Sequence, residues 1–129
     1  MKILVADDSA MLRDRITGVV SELNGVAVVG QMQDWPAAVQ AICEFQPDVV
    51  IMDVQLIRGR GITALRNLKA HYPALVLIVM SALSEFPYRK RLLDAGADYY
   101  LDKTVGIGRL RDIIQDLREQ YWARVNSIA

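Results

Sequence analysis

Three acidic positions and one lysine carry the chemistry this chain can be asked to do: Asp7-Asp8, Asp53 and Lys103. Each follows an apolar run that reads as a buried strand: Ile3-Leu4-Val5-Ala6, Val49-Val50-Ile51-Met52 and Tyr99-Tyr100-Leu101. In a parallel α/β sheet the carboxyl ends of the strands border the crevice where ligands bind. The three carboxylates and the ammonium are therefore expected to converge at one edge. Clustered carboxylates repel one another and call for a cation, and an all-oxygen set suits a hard ion such as Mg²⁺. Asp53, alone at the end of a very apolar strand, is the candidate nucleophile, since a carboxylate can accept a phosphoryl group. Asp7 and Asp8 would hold Mg²⁺ against Asp53. Lys103 would supply a point charge for a phosphate oxygen, and Ser81, closing a fourth strand, a hydroxyl donor for another. Phosphoryl transfer needs mainly positioning and charge neutralisation, which this set offers.

The elements that must position these residues follow from periodicity. Leu12, Ile16, Val19, Val20 and Leu23 fall at helical spacing and Asn24-Gly25 supplies a left-handed stop. Val26–Gly30 reads as a second strand. Asp34 can cap a second helix, with Pro36 tolerated in its first turn and Ala38, Ala41, Ile42 and Phe45 as its buried stripe. Cys43, the single cysteine, is expected to be a small core residue of that helix. Ile62, Leu65 and Leu68 mark a third helix ending near His71. Leu75–Met80 is the fourth strand, and a fourth helix starts near Ser84, a candidate cap. Ile107, Leu110, Ile113, Ile114, Leu117 and Tyr121 give a long final amphipathic helix. Helices between successive strands demand parallel pairing with right-handed crossovers. The expected fold is α/β, a doubly wound five-stranded parallel sheet with five helices. Residues 1–125 form one domain and 126–129 a frayed tail.

Composition removes other classes. Among 129 residues, 15 basic side chains balance 15 acidic ones, so no global field favours nucleic acid or an anionic membrane. The longest apolar stretch, Ala74 to Met80, is too short to span a bilayer. The N-terminus lacks the pattern of a signal peptide; a cytoplasmic location is expected. Strand one ends in Asp-Asp and not in a glycine-rich turn, so dinucleotide and P-loop sites are absent. With one histidine, placed at a helix end, no Ser-His-Asp or Cys-His arrangement is available.

On Ile3-Leu4-Val5-Ala6-Asp7-Asp8-Ser9, Pro47-Asp48-Val49-Val50-Ile51-Met52-Asp53, Ser81-Ala82 and Gly96-Ala97-Asp98-Tyr99-Tyr100-Leu101-Asp102-Lys103, the chain resembles the receiver domain of two-component response regulators over essentially its whole length. The resemblance implies a flavodoxin-like receiver fold and a phosphoacceptor switch. It implies that Asp53 takes a phosphoryl group from a histidine kinase or a histidine phosphotransfer protein. Mg²⁺ would be held by Asp7 or Asp8, by Asp53 and by the backbone carbonyl of Gln55. Ser81 and Tyr100 match the family's hydroxyl and aromatic switch positions. Arg89, Lys90, Arg91 and Arg111 are candidate contacts for a downstream protein partner. A phosphorylation-dependent homodimer is left open, and no direct nucleic-acid contact is expected of this chain.

Two departures stand out. Receivers usually carry proline where this chain has Ile57, and a proline commonly follows the lysine where it has Thr104. Both changes are expected to loosen loops, since proline restricts a loop's backbone, and neither removes a chemical group from the site. The stretch after Lys103, Thr-Val-Gly-Ile-Gly-Arg-Leu, resembles receivers that precede helix-turn-helix output domains. The expected functions are thus a phosphorylatable switch, the receiver portion of a DNA-binding regulator, or a docking module that works without phosphate. A conventional enzyme is not expected.

Overall fold

The computed structural model describes residues 1–57, 61–82, 86–103 and 106–127. Strand and helix alternate along them: β1 (Lys2–Ala6), α1 (Ala10–Ser21), β2 (Ala27–Met32), α2 (Trp35–Phe45), β3 (Val49–Asp53), α3 (Gly61–His71), β4 (Val76–Ser81), α4 (Phe86–Asp94), β5 (Tyr99–Asp102) and α5 (Gly106–Ser127). A single 3-10 turn, Val54–Ile57, follows β3 directly. Every strand pairing is parallel, and the order across the sheet is β2-β1-β3-β4-β5.

That order explains where a site can form. From β1 the chain crosses to β2 on one side, and from β3 it crosses to β4 on the other. The connections leave β1 and β3 in opposite directions, opening a crevice between their carboxyl ends. Asp7 and Asp53 are placed there by the pairing of Ala6 with Met52.

The three inner strands β1, β3 and β4 are apolar over most of their length because both faces are covered, whereas the edge strand β2 carries an exposed Gln31. Successive side chains point to opposite faces, so Leu4, Val50, Met52, Leu77 and Val79 pack with Ile42, Leu65, Leu68 and Leu92 of α2, α3 and α4. Ile3, Val5, Ile51, Ile78 and Met80 pack instead with Ile16 and Val20 of α1 and Leu110, Ile114 and Leu117 of α5. Caps fix the helix starts: the Ser9 hydroxyl accepts the Leu12 N–H at 3.3 Å, and Asp34 Oδ1 accepts the Ala37 N–H at 2.8 Å. At the far end of α5, Trp122 lies against Gly25, whose φ of +79° needs glycine and whose missing Cβ would stand 3.0 Å from the indole Nε1. Among the described residues no helix is long and apolar enough to cross a membrane.

The structure departs from the sequence expectations at three places. Cys43 is exposed: the buried stripe of α2 is Ala38, Ala41 and Ile42, and Cys43 falls about 100° around the helix from Ile42. Phe45, at the last turn, is 37% exposed and only borders that stripe. α5 continues through Ser127, so Asn126 and Ser127, read as tail, are helical. The expected Ser84 cap, and Thr104, lie outside the described residues.

Candidate functional site

Asp7 follows the last residue of β1 and is 2% exposed, Asp53 ends β3 and is 2% exposed, and Asp8 is exposed at the rim. One carboxylate oxygen from each lies within 4.8 Å of the others, a spacing that can hold a metal ion. Between Asp7 and Asp53 sits the Lys103 ammonium, 2.9 Å from Asp7 Oδ2 and 3.1 Å from Asp53 Oδ2. The pairing reaches Asp7 as well as Asp53, so one cation is shared by two buried carboxylates. The second oxygen of each is held by local backbone: Ser9 N–H donates to Asp7 Oδ1 at 2.8 Å, and Gln55 N–H to Asp53 Oδ1 at 3.1 Å.

Electrostatics follow from this crowding. Burial pushes the Asp53 carboxyl above its ordinary value, and the nearby Asp7 charge adds to the rise. The Gln55 N–H and the Lys103 ammonium pull it down, without cancelling the desolvation. For Lys103, burial alone would depress the ammonium. Its hydrogen bonds and charge attraction to Asp7 and Asp53 outweigh that, and the group is raised. The two shifts differ in cause: desolvation dominates at Asp53, whereas at Lys103 the two carboxylates outweigh it.

Ser81 ends β4, is 5% exposed, and its carbonyl accepts the Lys103 N–H at 2.8 Å. The hydroxyl residue and the lysine are thus fastened by one rung at the β4–β5 edge. Tyr100 pairs with Val79 in the ladder and is half-buried against the core shared with α2, α3 and α4.

A family model for the response regulator receiver domain matches residues 3–115. The chain belongs to that family. This receiver is 33% identical over 118 residues to the response regulator GacA of Pseudomonas syringae, covering 92% of the chain and 54% of GacA. It is 35% identical over 121 residues to a protein-glutamate methylesterase/protein-glutamine glutaminase of Alkalilimnicola ehrlichii, covering 92% of the chain and 30% of that protein. Among solved structures it is similar to the Francisella response regulator 1452 receiver domain, with 28% identity, a TM-score of 0.80, and 93% and 98% of the two chains covered. The receiver spans about half the length of the GacA relatives it matches. Receivers are phosphoacceptor modules of two-component systems, working between histidine kinases and downstream effectors, and the doubly wound five-stranded sheet is the receiver fold.

The structure brings Asp7, Asp8, Asp53 and Lys103 together, with Ser81 tied to Lys103 and Gln55 in the 3-10 turn beside Asp53. The acidic cluster resembles a receiver's Mg²⁺ site. Ile57, which replaces the usual proline, is 0% exposed and belongs to the core. Arg89 and Lys90 are exposed on α4, and Arg91 lines a groove of about 420 Å³ with Thr63 and Arg66 of α3. Arg111 lies 3.6 Å from Glu22, just past the end of α1.

Two contributors escape the sequence reading. Ser9, through its backbone N–H, fixes the Asp7 carboxylate; its place as cap of α1 is the available signal. Arg13 donates from Nη1 to the Asp7 carbonyl at 2.5 Å. Its only sequence signal is that it stands one helical turn into α1.

Proposed function

We propose that this receiver accepts a phosphoryl group on Asp53 in an Mg²⁺-dependent reaction and transmits the change through Ser81 and Tyr100. The reading is carried by one observation: a single ammonium at 2.9 and 3.1 Å bridges two buried carboxylates, with a third at their rim. Such a set is short of positive charge until a cation arrives. Asp7, Asp8, Asp53 and the Gln55 carbonyl would hold Mg²⁺, which when bound neutralises charge on the carboxylates and phosphoryl oxygens.

In the transfer, an Asp53 carboxylate oxygen forms a bond to phosphorus as the P–N bond of a phosphohistidine breaks. The imidazole nitrogen keeps the bonding pair. Lys103, held protonated by its two carboxylates, would follow charge onto a phosphoryl oxygen, and the Ser81 hydroxyl would donate to another. A dianionic group on Asp53 offers strong acceptors to both. As Ser81 turns toward them, the half-buried Tyr100 ring gains room to reorient, which biases a two-state equilibrium at the α4–β5 edge. Arg89 and Lys90 on α4 are the basic contacts available there to a downstream protein. A cognate histidine kinase or phosphotransfer protein supplies the group.

Incubation with Mg²⁺ and acetyl phosphate, followed by intact mass, tests the assignment. One phosphoryl adduct is expected, dependent on Mg²⁺ and absent from Asp53→Asn. An equal adduct on Asp53→Asn would remove Asp53 from the role. A second reading, the receiver portion of a longer DNA-binding regulator, is favoured by the 54% coverage of GacA. It leaves the acceptor chemistry unchanged, and the gene's reading frame distinguishes the two.

A further inference from the structure

Arg13 has no part in the acceptor chemistry, yet it is fastened to it. Its Nη1 bonds the Asp7 carbonyl at 2.5 Å, while among the described residues its buried Nε has no hydrogen-bond partner. Among the described residues no carboxylate pairs with it. A cation placed this way gains nothing from a salt bridge and bears part of its desolvation cost uncompensated. What it holds is one peptide plane.

That plane joins Asp7 to Asp8. Asp7 is already fixed on every side: its N–H donates to the Met32 carbonyl at 3.0 Å, Oδ1 accepts from Ser9 at 2.8 Å, and Oδ2 meets Lys103 at 2.9 Å. Asp8 differs. It is exposed, and among the described residues its carboxylate has no hydrogen bond or ion pair. Its direction is therefore set by the backbone that carries it, and the carbonyl gripped by Arg13 is the one bonded to the Asp8 nitrogen.

We propose that Arg13 is a positioning residue of the metal site, orienting the Asp7–Asp8 peptide so that the Asp8 carboxylate stays beside those of Asp7 and Asp53. The proposal rests on the reading of this cluster as a Mg²⁺ site. Two effects of the guanidinium have opposite signs. Its charge, taken alone, repels a divalent cation, so losing it should tighten Mg²⁺ binding. Its grip on the peptide preorganises a ligand, so losing it should weaken binding. Groups that orient metal ligands without touching the metal are worth on the order of tenfold in affinity, and here orientation is expected to win.

Calorimetric Mg²⁺ titrations of the wild type, Arg13→Gln and Arg13→Lys decide the matter. Arg13→Gln should bind Mg²⁺ roughly tenfold more weakly. Arg13→Lys, which keeps the charge and can still donate one hydrogen bond, should fall between the two. In hydrogen exchange, the Ser9 amide of Arg13→Gln, which donates to Asp7 Oδ1, should exchange faster while β3 and β4 keep wild-type protection. Equal or tighter Mg²⁺ binding by folded Arg13→Gln overturns the proposal. If Arg13→Gln does not fold, Arg13→Lys decides, because its charge is unchanged: weaker binding supports positioning and wild-type binding overturns it. A wild type that does not bind Mg²⁺ overturns the metal reading itself, and with it the proposal.

Discussion

The two ends of the sheet use aspartate for opposite purposes. At the amino end, Asp48 Oδ2 accepts the Lys2 N–H at 2.7 Å, its own N–H donates to the Lys2 carbonyl at 2.8 Å, and its carbonyl takes the Val76 N–H at 3.1 Å. Asp98 Oδ2 accepts the Leu77 N–H at 2.8 Å and the Lys69 ammonium at 2.9 Å, and its N–H donates back to Leu77 at 2.8 Å. Lys69 also bonds the Leu75 carbonyl. These carboxylates bridge neighbouring strands, lie apart, and meet backbone N–H groups or a cation of their own. At the carboxyl end, three carboxylates crowd together and one lysine serves two of them. The first arrangement stitches strands into register. The second concentrates charge that the protein does not itself neutralise. Position in the topology, not residue type, separates the stitch from the site.

The contrast can be broken most forcefully at the amino end. Asp98→Ala leaves the Leu77 N–H without its side-chain acceptor and the Lys69 ammonium with the Leu75 carbonyl alone, and about 1–3 kcal/mol of unfolding free energy should be lost. Urea titration reads that loss, and Mg²⁺ affinity should not move. A change below about 0.5 kcal/mol, or a shifted Mg²⁺ affinity, would mean that the two ends are not separate devices.

At the carboxyl end the expected sign reverses. Because burial raises the Asp53 pKa, the folded protein binds that proton more readily than the unfolded chain. Stability therefore falls as pH rises from the ordinary carboxylate range through the raised value. The Lys103 contribution, raised above 10.5, is present throughout this window and is lost only on alkaline titration. Without metal, Asp53→Asn should melt above the wild type at pH 7, and the gap should close in acid as the wild-type carboxyl protonates. A wild type that melts higher at pH 7 would show that the Lys103 pairing outweighs the desolvation.

The smallest effect belongs to a pair at neither end. Glu22 and Arg111 are 3.6 Å apart, with side chains 64% and 50% exposed. Glu22→Gln should change stability by less than about 0.5 kcal/mol in thermal melts. A larger loss would give this surface pair a structural weight like that of Asp98.

The sequence made the strands legible because a sheet covered on both faces needs uninterrupted apolar runs, and Val49 to Met52 can hardly read otherwise. It also placed Asp7, Asp8, Asp53, Ser81 and Lys103 at strand ends, where parallel topology gathers them. The exposure of Cys43 is not legible from its apolar neighbours, because one step along a helix turns the side chain by about 100°. The sharing of Lys103 with Asp7, the grip of Arg13 on a carbonyl and the stitching by Asp48 and Asp98 depend on contacts with backbone atoms or across strands. A carbonyl has the same chemistry under every side chain, so its partners leave little mark on the sequence. Arg111 illustrates a related limit: its place on α5 was readable, its lean toward Glu22 was not.

The indole of Trp122 against Gly25 has an optical consequence. It lies at the amino end of the sheet, while Trp35 opens α2 three residues past Met32, the residue whose carbonyl takes the Asp7 N–H. These are the only two tryptophans in the chain. Each end of the sheet therefore has its own emitter, and replacing either indole with phenylalanine leaves a single-colour probe. Light from the stitched end and light from the charge-rich end can be recorded separately, without attaching a dye to either.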